Sequence, residues 1–177
     1  MYHTRRCTAL IFTLVALVAL ITFPALPARA TTTFTDPQNR FSVDIPDGWQ
    51  PDRTAANPGL AAQFLTANPD GAFNVSTTPL PDGITIDAVP QLIIARLSQQ
   101  FGDFQQTNLG TATVAGEQGS ELDYTATNSA GTVVATSQIM VQHQGVLYLL
   151  TLAARPEDID TIRTAGIPIL DSWQWLT

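Results

Sequence analysis

Residues 146–154, VLYLLTLAA, constrain the fold of this chain more than any other stretch. Side chains along a strand point alternately to opposite faces. Here Val146, Tyr148, Leu150 and Leu152 point one way, and Leu147, Leu149 and Ala153 point the other. Both faces are therefore apolar, which suits a central strand covered on both sides and no other kind. The chain must build a sheet with a packed layer on each face. Hairpin signals upstream make that sheet antiparallel: Gln144-Gly145 joins the run Val133 to His143 to the central strand. Asn128-Ser129-Ala130-Gly131 joins the run before it, in which Leu122, Tyr124 and Ala126 alternate with Glu121, Asp123 and Thr125. Further upstream, Ala112 and Val114 lead to Gly116.

Two helices supply the layers. From Thr85 the apolar period changes to that of a helix: Val89, Ile93 and Leu97 recur every four residues, Leu92 widens the stripe and Phe101 extends it. Thr85 or Asp87 can cap it, Pro90 falls in the first turn and Gly102 ends it. Pro156-Glu157-Asp158 opens a second helix with Ile159, Ile162, Ile169 and Leu170 on its apolar side. Gly166 and Pro168 are expected to kink or divide it. In the first half, "FSVDIPDGW" (41–49) reads as a half-buried strand, a tight turn and an aromatic. Pro-Asp-Gly occurs three times, at 46–48, 69–71 and 81–83, and each copy predicts a chain reversal. Leu60 to Thr66 and Ala72 to Thr78 read as strands between them. The expected class is α+β: an antiparallel β-sheet flanked by helices on both faces, an α/β/α sandwich.

Residues 1–30 are expected to be a signal peptide and 31–177 the folded domain. Arg5-Arg6 precedes an apolar run from Ala9 to Phe23, Pro24 and Pro27 break it, and Ala28-Arg29-Ala30 fits a signal-peptidase site. An uncleaved anchor and a twin-arginine signal are the alternatives. Cleavage leaves 147 residues, enough for one domain with its own core. Three of the eight basic residues leave with the signal, so five remain against 15 acids, a formal charge of −10. Such a surface suits no nucleic acid, whose binding rests on neutralising phosphates. The chain has no lysine, which removes Schiff-base and P-loop chemistry. Cys7 precedes the apolar run, so it cannot carry a lipoprotein's stable lipid anchor, and the mature chain has no thiol.

Chemistry-bearing clusters are missing from the pattern, and the chain reads as no enzyme. His143 is the one histidine after the signal and reads as an exposed residue beside a turn. Asp70 and Asp82 fall in turns, Asp123 on the polar face of a strand, and Asp158 and Asp160 near a helix start. Asp36, Asp44 and Asp47 are the candidate donors for a surface calcium site, because hard cations need only clustered oxygens. No other cofactor is expected. Asn74-Val75-Ser76 fits the glycosylation sequon within a paired strand. Trp49, Trp173 and Trp175 are candidates for contact with a protein partner; packing of the two chain ends is the alternative.

The order of the elements resembles PsbP-like domains and the related DcrB-like bacterial proteins. "FTDPQNRFSVDIPDGW" (34–49) resembles the family's opening strand, turn and tryptophan. "FNVST" (73–77) looks like its second strand, and "HQGVLYLLTLAAR" (143–155) resembles its glycine turn, Leu-Tyr pair and long apolar strand. "ILDSWQW" (169–175) is similar to its closing helix. The resemblance implies the antiparallel sheet between helices shared with Ran-binding Mog proteins. It also implies an extrinsic, extracytoplasmic protein of the periplasm or thylakoid lumen, an accessory or assembly factor of a membrane complex such as photosystem II. A DcrB-like envelope role in transport or maintenance is the second expectation, and a small-molecule or lipid carrier the third. The resemblance carries over no metal site.

Overall fold

The two-faced strand is where the fold centres. The structure is a computed structural model that describes residues 32–52, 59–67 and 70–176; the expected signal segment and its cleavage site lie outside them, as does Pro69. In chain order the elements are β1 (Thr32–Thr35), β2 (Phe41–Ile45), β3 (Trp49–Pro51), β4 (Leu60–Ala67) and β5 (Asp70–Pro79). A 3-10 turn (Ile86–Ala88) leads into α1 (Val89–Gln100). There follow β6 (Gln105–Val114), β7 (Glu117–Thr127), β8 (Val133–His143), β9 (Val146–Ala154), α2 (Ile159–Asp171) and β10 (Gln174–Trp175). Seven strands form one sheet in the order β3-β4-β5-β9-β8-β7-β6, every pair antiparallel. β9 lies between β5 and β8, and its faces divide as the apolar pattern requires. Leu150 and Leu152 meet Phe73, Val75, Ile162 and Ile169 under α2, whereas Leu147 joins Leu122, Met140 and Val89 on the α1 side. The fold is thus α+β with a helix on each face. No helix of the described residues is long and apolar enough to cross a membrane.

A second sheet, β1-β2-β10, extends the α2 layer and is absent from the sequence reading. Phe41, Val43 and Ile45 of β2 point inward and are buried, as their alternation predicts. The two-residue β10 brings the C-terminal segment onto β2, pairing Trp175 with Phe41. Ser172 Oγ accepts the Asp44 N–H at 2.8 Å, joining the end of α2 to the same strand.

Four expectations change. Leu92 does not widen the α1 stripe; it is 53% exposed, and Ile94 packs on the sheet instead. Gly71 is not a turn residue but lies inside β5, opposite Ala154. A Cβ there would sit 2.8 Å from Ile162 Cδ1, so glycine is needed for α2 to approach the sheet. α2 runs unbroken through Gly166 and Pro168, and both the Ser172 N–H (3.1 Å) and its Oγ (2.7 Å) bond back to the Pro168 carbonyl. Asp123 does not face solvent. It is buried beneath α2, where Arg163 pairs with it. The other two Pro-Asp-Gly copies do turn the chain, with Gly48 and Gly83 at positive φ and bonds Trp49 N–H to Pro46 O (3.1 Å) and Ile84 N–H to Pro81 O (3.1 Å).

Candidate functional site

The end of the sheet where β8 turns into β9 collects the most chemistry. It begins with the loop between β1 and β2. Asp36 accepts from Arg40 three times, at the backbone N–H (3.2 Å), Nε (2.6 Å) and Nη2 (3.0 Å). The loop closes further through Asn39 N–H to Asp36 O (2.7 Å), with Asn39 in the left-handed region that asparagine tolerates. Arg40 then reaches across to the main sheet, where Nη1 donates to Thr77 Oγ1 at 2.7 Å. Its own carbonyl accepts the Leu176 N–H at 2.9 Å. One residue therefore ties the first loop, β5 and the C-terminal segment together. The hydrogen bond to Asp36 raises the Arg40 guanidinium further above its ordinary value, against the pull of desolvation.

Aromatic rings pave the ground beside this clamp. Tyr148 follows Thr77 across the same sheet face and meets Phe41 and Trp175 edge-on, at 6.3 and 4.9 Å between centroids. Burial pushes its phenol up, with Arg40 acting in the opposite sense and Asp36 adding to the rise. His143, at the end of β8, lies flat against Trp175, centroids 4.3 Å apart and planes at 7°. Its Nδ1 bonds to Glu117 Oε1 at 2.9 Å. Its place beside a turn predicts an exposed residue, but its side chain is 17% exposed. The difference arises because Trp175, brought in by β10, covers the ring. Gln38, Asn39, Arg40, His143, Gln144 and Tyr148 line an open cleft of about 230 Å³ here. An aromatic floor with amides and a neutralised guanidinium at the rim suits a hydrogen-bonding protein surface.

The tryptophans divide. Trp49 (6% exposed) and Trp173 (4%) are core residues, whereas Trp175 is half-buried at the cleft. Trp173 stacks on Phe41 at 4.4 Å and 13°, which packs the two chain ends together, and Trp49 belongs to the same buried cluster. The indole N–H groups of Trp173 and Trp175 are buried and have no protein acceptor. The carboxylates named as calcium candidates are not brought together. Asp36 is committed to Arg40, Asp44 accepts from Thr33 Oγ1 at 2.7 Å, and Asp47 lies exposed in the turn after β2. Among the described residues no group of three or more His, Cys, Asp or Glu could hold a metal. The sequon asparagine, Asn74, is inside β5 between two paired strands, its Oδ1 buried. The clamp could have been found from "DPQNR", since Asp-Pro-x-Asn signals a tight turn that brings an arginine back to the aspartate.

A seven-stranded antiparallel sheet with a helix on each face and a small sheet beside the second helix is the Mog/PsbP fold. Solved structures share it over most of the chain. Cyanobacterial PsbP (CyanoP) from Synechocystis sp. PCC 6803 superposes with a TM-score of 0.59 at 17% identity, covering 88% of this chain and 98% of that one. LpqN, involved in cell envelope biogenesis of Mycobacterium tuberculosis, gives 0.59 at 17% identity over 83% of this chain and 91% of its own. The Ran-binding protein Mog1p of Saccharomyces cerevisiae gives 0.60 at 7% identity, over 82% and 95%. No protein-family model and no curated protein sequence matches the chain.

Proposed function

We propose that this is a non-catalytic, extracytoplasmic PsbP-like protein. In this reading it serves as an accessory or assembly factor on the lumenal or periplasmic face of a membrane complex, photosystem II in a photosynthetic host. The observation that carries the reading is the cleft rimmed by Gln38, Asn39, Arg40 and Gln144 over His143 and Tyr148. Its rim is held rigid by the Asp36–Arg40–Thr77 bonds, and a preorganised surface loses little entropy on docking. The likeness to CyanoP and the export pattern of residues 1–30 support the extracytoplasmic setting. Likeness of equal degree to LpqN supports a second reading, an envelope protein with a maintenance or transport role. Lipid carriage draws less support, because the space between α2 and the sheet is about 50 Å³, far below the about 300–1,000 Å³ typical of small-ligand sites.

The partner would carry basic groups, since the acidic form left by signal cleavage, five basic residues against 15 acids, attracts them over about 8–10 Å at moderate salt. Immobilised mature protein should retain a partner from detergent-solubilised host membranes at low salt and release it as salt rises. A Gln38→Ala, Gln144→Ala double variant, changed at two exposed rim positions, should lose that partner while keeping its fold. Equal recovery by a charge-matched acidic control, or by the double variant, removes the cleft as a docking site.

A further inference from the structure

The two edges of the main sheet are built differently. β3 is three residues long and ends on Pro51, and shortness and proline both blunt an edge against pairing. β6 has neither protection. It is ten residues long, holds no proline and no charged residue in a chain with 15 acids, and is exposed along most of its length. It closes onto β7 through Ala115-Gly116, both at positive φ (45° and 88°), so Val114 and Glu117 form the hydrogen-bonded pair that flanks a two-residue turn. From that pair the antiparallel ladder alternates. Ala112 and Gly110 bond to β7, while Thr113, Thr111 and Leu109 turn their N–H and C=O groups outward. The register is regular from Asn108 to Val114, and its shift falls earlier, between Gln106 and Asn108. Leu109, Thr111 and Thr113 therefore offer a straight row of open backbone donors and acceptors. Their side chains share the α1 face with Leu122, and Thr113 Oγ1 accepts from Gln118 Nε2 at 2.9 Å. The β7 carboxylates occupy the opposite face, Glu117 bonded to His143 and Glu121 to Ser137.

We propose that β6 pairs with β6 of a second copy of this chain, antiparallel about a two-fold axis at Thr111. This register sets Thr111 opposite Thr111 and Leu109 opposite Thr113, and each pair of outward residues exchanges two backbone bonds, about six in all. Centring the axis on Leu109 would run Thr111 into the bulge at Thr107, and centring it on Thr113 would run Thr111 into the turn at Ala115. Charge names the occupant. A basic partner finds no carboxylate on this strand, whereas the same strand from a second copy brings threonine against threonine and no like charges face to face. The Glu121 carboxylates of the two copies then stand three strand spacings apart, about 14 Å, beyond the screening length of about 8–10 Å at moderate salt. The contact is isologous and closes on itself, so the two seven-stranded sheets run on as one and assembly stops at a dimer. One strand pair is a small interface, and the dimer forms and dissociates with concentration. The docking cleft is built from other residues.

Sedimentation velocity of the exported protein, from micromolar to millimolar concentration, tests the proposal. The mass should move from monomer to dimer, and association should strengthen as salt screens two acidic copies, the reverse of the salt response expected of the cleft. Thr111→Pro withholds the central N–H from the second copy but spares the β7 ladder, because that N–H points outward. This variant should stay monomeric with its unfolding midpoint little changed. Cysteines report the register directly, in a Cys7→Ser background that leaves no other thiol. Thr111→Cys sets two Cα atoms about 5.5 Å apart across the axis, within disulfide reach, and should crosslink in oxidised glutathione. Thr113→Cys sets them four residues apart along the strand, about 14 Å, and should not. A protein monomeric at every concentration, a dimer that survives Thr111→Pro, or equal crosslinking at both positions overturns the proposal. Should the proline variant lose its fold, the two cysteine variants decide.

Discussion

Removing Arg40 should damage the protein more than removing its partner Asp36, and the reason is where each side chain sits. The Asp36 side chain is 1% exposed and that of Arg40 is 22% exposed. Arg40→Ala leaves a carboxylate sealed from water with one backbone N–H for company, and also cuts the bond to Thr77. Breaking a buried ion pair from one side costs about 3–5 kcal/mol. Asp36→Ala leaves a guanidinium that can swing toward water while keeping Thr77, so about 2 kcal/mol is expected. For a domain of this size a loss of about 4 kcal/mol lowers Tm by roughly 10 °C. Urea denaturation of both single variants and the double variant measures the order, and the double should fall short of the sum because the residues touch. Equal losses, or a larger loss in Asp36→Ala, would refute the argument that burial of Asp36 decides the energetics.

Three further outcomes are expected. Trp173→Ala, which removes a core ring stacked on Phe41, should lower stability by about 3–5 kcal/mol in chemical denaturation. Gly71→Ala puts a Cβ 2.8 Å from Ile162 Cδ1 and should cost about 1–3 kcal/mol, a loss that Ile162→Val partly restores. Asp103 has its protonation lowered below the ordinary aspartate range, first by the Thr127 hydroxyl and then by the Thr127 backbone N–H. Its stabilising effect is present above the unfolded-state value and fades as pH falls through the lower folded value. Carboxyl NMR titration should show the low midpoint, moving back toward the ordinary range in Thr127→Val.

What could be read in the sequence was what short-range chemistry encodes. β8 and β9 begin and end where the alternation and the Gln144-Gly145 turn place them, because both turn residues adopt positive φ (49° and 79°), a property of the dipeptide itself. The two helices follow from their period. Leu92 shows the limit of that reasoning, since a stripe defines a face but not how far the helix lies down upon the sheet. The burial of His143 in the cleft escaped because it depends on one long-range event, the return of Trp175 to Phe41 across more than a hundred residues. A two-residue strand has no periodicity to read. Once it is placed, His143 ceases to be a surface residue, Leu176 reaches the Arg40 carbonyl, and Trp173 finds Phe41. Asp123 escaped for a related reason: polar alternation marks a face as wet, yet here Arg163 descends from α2 to meet the carboxylate on that face. The polar residues that matter in this molecule are those whose alternation resembles a solvent face and whose partners arrive from another element. His143 has this form too: its strand end reads as wet, and Trp175 arrives from the far end of the chain to cover the ring.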